Sequence, residues 1–197
     1  MLMNAYKDFI VAPIGERYNN VIRVDDKELI LNTEISNHQY INRLARVIDT
    51  PMLFDTPINI GDEVIVHHNV FRRWYNIKGI EKNSRSYLYD DKYLVSSDQI
   101  FLYKKDKWMS TPGYTFVKSI VDEDNYSLER EKNFIGIVKY SDGTFVENEV
   151  VGFGPNMRME YVIEGQKLWR VINNFIEIKY GYQKDQKEYN PSWAQSG

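Results

Sequence analysis

Apolar residues in this chain come in short β-branched and aromatic runs, each soon cut off by glycine, proline or a cluster of Asp, Asn and Ser. "DFIVAPI" (8–14), "RLARVID" (43–49), "DEVIVHH" (62–68), "YTFVKSIV" (114–121), "FIGIVKY" (134–140) and "NNFIEIKY" (173–180) are the clearest. Runs of this length and composition, bounded by turn residues, read as strands. No segment sustains the 3.6-residue periodicity of an amphipathic helix. Aromatic residues make up 14% of the chain, with Tyr occurring 15 times, which favours strands further. The expected class is therefore all-β.

The 197 residues suffice for one large domain or two small ones. Residues 1–107 form the expected first domain. Its opening strand stops at Pro13 and Gly15, as an edge strand would, and a long polar segment follows over 16–42, interrupted by "VIRV" and by Leu29-Ile30-Leu31. Polar stretches of such length tend to be functional or mobile. "DKWMSTP" (106–112) reads as a connector, residues 113–182 as a second β-domain, and 183–197 as a surface extension without strand pattern. Within the second domain "VIEGQKLWRV" is expected to be a hairpin turning at Glu164-Gly165. The halves echo one another: "DEVIV" (62–66) matches "NEVVG" (148–152), and "DQIFLYK" (98–104) matches "NNFIEIK" (173–179). The offset is larger for the first match, so the first half carries extra residues between the two, which fall in "FRRWYNIKGIEKNSRSYLYDD".

The chemistry is narrowed by what the chain lacks. With 25 Lys plus Arg against 28 Asp plus Glu the net charge is −3, too acidic for a polyanion-binding field. Cys is absent, excluding disulfides, thiolate zinc sites and thiol nucleophiles. His67 and His68, adjacent on an expected strand, should point to opposite faces, one outward and one near a barrel rim, which disfavours a shared metal. The "FRRWY" run (71–75) mixes cations and aromatics as single-strand nucleic-acid platforms do; Arg stacking on its own Trp or on an adjoining subunit is the more common outcome. Asp25-Asp26, Asp90-Asp91 and "DED" (122–124) lack calcium-loop spacing and read as turns. "GFGP" (152–155) reads as a bend. No catalytic, metal or cofactor residues are assigned, and the chain is expected not to be an enzyme. No run approaches a membrane span, and "MLMNAYKDFIVAP" is unlike a signal peptide, so a cytoplasmic protein with neither membrane nor nucleic-acid partner is expected.

Three features in order give the first half a resemblance to the GroES-type co-chaperonin family: "FIVAPIG", "INIGDEVIV" and "YLVSSDQIFLYKK". The family has a loop between the first two whose apolar tripeptide docks on the chaperonin, and Leu29-Ile30-Leu31 sits at that place. Lys27-Glu28 and Asn32-Thr33 stand where the family has flanking glycines, and the family's roof hairpin would lie within "TPMLFDTP". The resemblance covers about residues 8–105 and more faintly 114–180. It implies a GroES-like β-barrel followed by a second, related or degenerate barrel, assembled as a homo-oligomeric ring that caps a GroEL-type chaperonin and assists folding without cofactor. A divergent phage-encoded member serving capsid protein in the host cytoplasm would suit the composition. It also implies neighbour pairing between a first strand (Phe9, Ile10, Val11) and a closing strand, either "QIFLYKK" (with Ile100, Phe101, Leu102) or "NFIEIKY" (174–180). Leu29-Ile30-Leu31 is then either an exposed docking element or a short strand packed on its own barrel. The rival function is structural: a virion or assembly protein that uses the same barrel for subunit packing.

Overall fold

A computed structural model describes residues 4–18, 21–25, 27–30, 40–123, 131–155, 158–182 and 185–195. Nearly all regular structure is β, in open antiparallel sheets, none of them closed. The chain divides into two compact units, Met1–Lys107 and Trp108–Gly197.

The first unit contains β1 (Phe9–Pro13), β2 (Val21–Val24), β3 (Lys27–Ile30), β4 (Leu44–Asp49), β5 (Glu63–Val66), β6 (Arg73–Tyr75), β7 (Glu81–Asn83), β8 (Tyr87–Tyr89), β9 (Lys92–Val95) and β10 (Ile100–Lys104). Its main sheet runs β10-β5-β4-β1-β9-β8, while β2–β3 and β6–β7 are separate two-stranded hairpins. Period-2 patterning sets the faces: on β4, Ala45 and Val47 are buried whereas Arg46 and Ile48 are exposed. The core gathers Phe9, Val11, Val47, Val64, Phe71 and Tyr93, with the Phe71 and Tyr93 rings edge to face at 4.8 Å.

β1 is not the edge strand that Pro13 suggests. It pairs with β4 on one side and β9 on the other, and its β9 ladder stops at Val11↔Tyr93, two residues before the proline. Proline at the last position of a strand leaves no ladder donor missing on the β9 side. His67 and His68 also depart from expectation. β5 ends at Val66, and Val70 N–H closes a turn onto His67 O at 3.0 Å, so the rings stack 4.2 Å apart instead of facing opposite ways. Asp25, between β2 and β3, and Asp90 and Asp91, between β8 and β9, do sit in turns, with φ of 54°, 45° and 52°, while Asp26 lies outside the described residues. Asp tolerates this left-handed region better than most residues.

The second unit contains β11 (Trp108–Ser110), β12 (Tyr114–Val121), β13 (Glu131–Ser141), β14 (Glu149–Phe153), β15 (Arg158–Ile163), β16 (Gln166–Ile172), β17 (Ile176–Tyr182), β18 (Glu188–Tyr189) and the single turn α1 (Ser192–Gln195). Its sheet runs β15-β16-β12-β13-β14-β17, with β18 added to β12. Read from the other end, β17-β14-β13-β12-β16-β15 follows the same chain-order plan as β10-β5-β4-β1-β9-β8. A 3-10 turn precedes the closing strand in each, Ser97–Gln99 before β10 and Asn173–Phe175 before β17. The matched runs "DEVIV" and "NEVVG" fall on β5 and β14, and "DQIFLYK" and "NNFIEIK" lead into β10 and β17. The plans differ in their connections. Residues 67–86, with β6–β7, join β5 to β8, whereas 154–157 join β14 to β15.

β15 and β16 form the expected hairpin, with Glu164 and Gly165 both at positive φ. The tail is less free than its sequence suggests. β18 pairs with Ser119 and Ile120 of β12, Lys118 binds Glu188, and the Asn190 side chain bridges Lys167 N at 3.0 Å and Gly165 O at 2.9 Å. Backbone pairing and polar contacts hold it, which apolar patterning does not report.

Val117, Val138, Val151, Phe153 and Val171 pack on one face of this sheet. Gly136 on β13 lies opposite Ser119, where an added Cβ would stand 2.7 Å from Val117 Cγ2 and 2.8 Å from the Lys118 carbonyl oxygen. Neither can yield without displacing β12. Gly136→Ala is therefore expected to destabilise the protein by about 1–3 kcal/mol, read as a lower urea midpoint at unchanged slope.

Candidate functional site

One buried amide organises the polar segment between β1 and β4. Asn42 Nδ2 donates to Ile14 O at 2.8 Å and Glu16 O at 2.9 Å, while its Oδ1 accepts Leu44 N–H at 2.8 Å. Beside it, Asn42 N–H reaches Arg17 O at 3.0 Å, Ile14 N–H reaches Leu44 O at 3.0 Å, and Tyr18 bridges Ile41. Every polar arm of the amide is thus used, as burial demands. The chain leaves and rejoins the core at neighbouring points, and of the described residues between them β2 and β3 lie outside the main sheet.

In that excursion β2 and β3 pair in the register Val21↔Ile30, Ile22↔Leu29, Arg23↔Glu28 and Val24↔Lys27 around the Asp25 turn. Leu29 is 49% exposed. Ile30 ends β3, and Leu31 lies outside the described residues. Among the described residues the hairpin pairs with neither main sheet.

The six expected interface residues lie on two strands of the first unit's main sheet. Phe9, Ile10 and Val11 on β1, and Ile100, Phe101 and Leu102 on β10, are all buried, and Phe9, Val11 and Ile100 share the first unit's core. Within its own chain β1 is paired on both sides, with β4 and with β9.

The "FRRWY" run enters the β6–β7 hairpin. Arg73 stacks over Tyr18, 4.4 Å from the ring centroid, not over Trp74, and pairs with Glu81 at 3.3 Å. Trp74 Nε1 donates to Asn83 O at 3.2 Å. As successive strand residues, Trp74 and Tyr75 face opposite ways, so they form no continuous stacking platform.

A polar cluster occupies the second unit. Glu131 accepts Lys167 Nζ at 2.5 Å, Ser119 Oγ at 2.6 Å and Trp169 Nε1, while Arg158 lies over the Trp169 ring at 4.1 Å and Glu160 stands 3.5 Å from Lys167. Serine, lysine and glutamate together can suggest nucleophilic chemistry. Here Ser119 is fully buried and donates to the carboxylate, and Lys167 is ion-paired, so neither is poised as nucleophile or base. The cluster locks β12, β13 and β16 together. Its members are far apart in sequence, and no local pattern signals it. Among the described residues no group of three or more His, Asp or Glu is arranged to hold a metal, and no helix is long and apolar enough to cross a membrane.

No family model, curated protein or solved structure matches the chain.

Burial pushes the Glu131 carboxyl upward, but the hydrogen bonds from Lys167, Ser119 and Trp169, with the Lys167 charge, outweigh it and hold the group below its ordinary 4.5. A depressed carboxyl stabilises the folded state above its unfolded pKa, and that contribution fades as pH falls through the lower folded value. Glu131→Gln, which leaves Lys167 without its nearest carboxylate, is expected to cost about 2 kcal/mol or more at pH 7. The gap to wild type in denaturation midpoint should shrink progressively below pH 4.5.

Proposed function

We propose that this chain is a non-enzymatic co-chaperonin of the GroES type, a tandem of two divergent GroES-like β-domains whose sheets are left open, that docks on a GroEL-type chaperonin through β2–β3. The observation that carries the reading is the hairpin itself. It is inserted between β1 and β4, which pair directly, it is closed at its base by Asn42, and it presents Leu29 at the position of the family's docking tripeptide. The common pairing order of the two sheets supports the tandem, and the β6–β7 excursion explains why the sequence matches shift in offset. The connection equivalent to the docking loop in the second unit runs from β12 to β13, where "NYSLER" (125–130) holds no apolar triplet. One docking loop per chain follows.

Burying three aliphatic side chains contributes roughly 1.5–3 kcal/mol each, and ordering the loop offsets a few kcal/mol of that. A single loop is therefore weak. A ring makes the second and later contacts effectively intramolecular, so assembly as a closed homo-oligomer belongs to the proposal. With β1 enclosed, the outer strand β17 is the better candidate for subunit contact: Ile178, Tyr180 and Tyr182 are exposed along it.

Purified protein should bind a GroEL-type chaperonin only with nucleotide present, and should run as one closed oligomer in native mass spectrometry. Leu29→Asp with Leu31→Asp should abolish binding while leaving the far-ultraviolet circular dichroism unchanged. Undiminished binding of that double variant would remove the docking assignment.

A further inference from the structure

We infer that the β6–β7 hairpin is a second docking arm, which meets the same partner as β2–β3 at an apolar pocket rimmed by carboxylates. The inference rests on the co-chaperonin reading and extends it to a part of the chain that the family resemblance does not cover.

The hairpin is built to stay in place. Its turn is held by Asn76, whose Oδ1 accepts Lys78 N–H at 2.9 Å and Ile80 N–H at 3.0 Å, with Gly79 at φ 71°. Ser84 Oγ ties its exit to Val70 O at 2.5 Å. Nevertheless Trp74, Tyr75, Ile77 and Ile80 are all at least half exposed, and Ile77 is fully so. A flexible loop could fold such side chains back on the body. A braced one keeps them presented, and ordered apolar groups of this kind mark an interaction site.

The charges say what kind of surface fits. Arg72, Lys78, Lys82 and Arg85 are exposed around the hairpin, and its one carboxylate, Glu81, is already engaged by Arg73. This basic excess stands on a chain whose net charge is −3. Complementary potential favours an acidic rim. A nucleic acid is disfavoured because Trp74 and Tyr75 point to opposite faces.

Both hairpins share a root. Arg17, at the start of the β2–β3 excursion, donates to Asn83 Oδ1 at 2.9 Å and Phe71 O at 3.0 Å at the base of β6–β7. Arg73 N–H donates to Tyr18 Oη at 2.8 Å. These contacts fix the bases of the two arms together, so a partner that receives one is beside the other.

The test uses the full-length protein on immobilised GroEL-type chaperonin with nucleotide, comparing wild type, Ile77→Ser with Ile80→Ser, Lys78→Glu with Lys82→Glu, and the Leu29/Leu31 aspartate variant, with circular dichroism confirming each fold. The serine pair is expected to weaken binding about tenfold or more, and the charge reversal chiefly to slow association and reduce its salt dependence. Wild-type affinity in both hairpin variants, alongside loss in the Leu29/Leu31 variant, overturns this inference and leaves the co-chaperonin reading standing. Absence of wild-type binding overturns both. If the hairpin variants instead lose only sedimentation with phosphatidylserine vesicles, the hairpin serves a membrane and the second-arm assignment is overturned.

Discussion

The first unit depends on the way a single amide closes a long insertion. β1 and β4 are neighbours in the sheet but are separated in the chain by residues 14–43, and joining them requires the backbone to turn away from the core with its polar groups satisfied. Asn42 meets that demand with two donors and one acceptor, each matched to backbone at the two ends of the excursion. Loop-closure entropy grows only slowly with length, so once the ends are clasped the insertion can be long at small further cost. The clasp lets a hairpin be added without disturbing the β1–β4 ladder.

A second consequence concerns where chemistry can reside. In both units the interior is filled by apolar side chains, most of them on strands, and among the described residues the ionisable group around Glu131 is internally matched. Exposed apolar side chains stand on the inserted hairpins, on the outer strand β17 and on loops, as at Met52 and Leu53. The common sheet plan thus acts as scaffold, and the connections that differ between the units carry the distinguishing features. Such a division is common where a rigid frame supports loops that bind.

Much of the sheet was legible because burial on a strand follows a period of two. "RLARVID" alternates into the core as β4, the Glu164-Gly165 turn falls where two polar turn residues separate apolar runs, and the paired motifs lie on equivalent strands. The position of β1 was not legible. A short run ended by proline reads as an edge, yet its enclosure is decided by β4 and β9, whose pairing with it has no local signature. Of the candidate docking residues, Leu29 was legible as an apolar side chain in a polar setting, whereas the amide that closes the insertion was one Asn among many. Arg17, Asn83, Tyr18 and Arg73 are joined only by the fold. The histidine pair misled for a local reason: the strand stops with its β-branched run at Val66, two residues short of the expected 62–68, and a turn brings both rings to one side.

Rigidity and association are linked through the contacts at the hairpin roots. A docking element that is disordered when free must lose conformational entropy on binding, whereas a braced element has already lost it on folding. β6–β7 is braced by Asn76 at its turn and by Arg17 and Tyr18 at its base. The same base contacts reach the start of the β2–β3 excursion, since Arg17 and Tyr18 belong to it. Ordering of one arm therefore restricts the root of the other. On the proposed reading, two weak apolar contacts held at a fixed spacing would bind more tightly than the same contacts on independent tethers, and the charges flanking β6–β7 would restrict which surface can satisfy both at once.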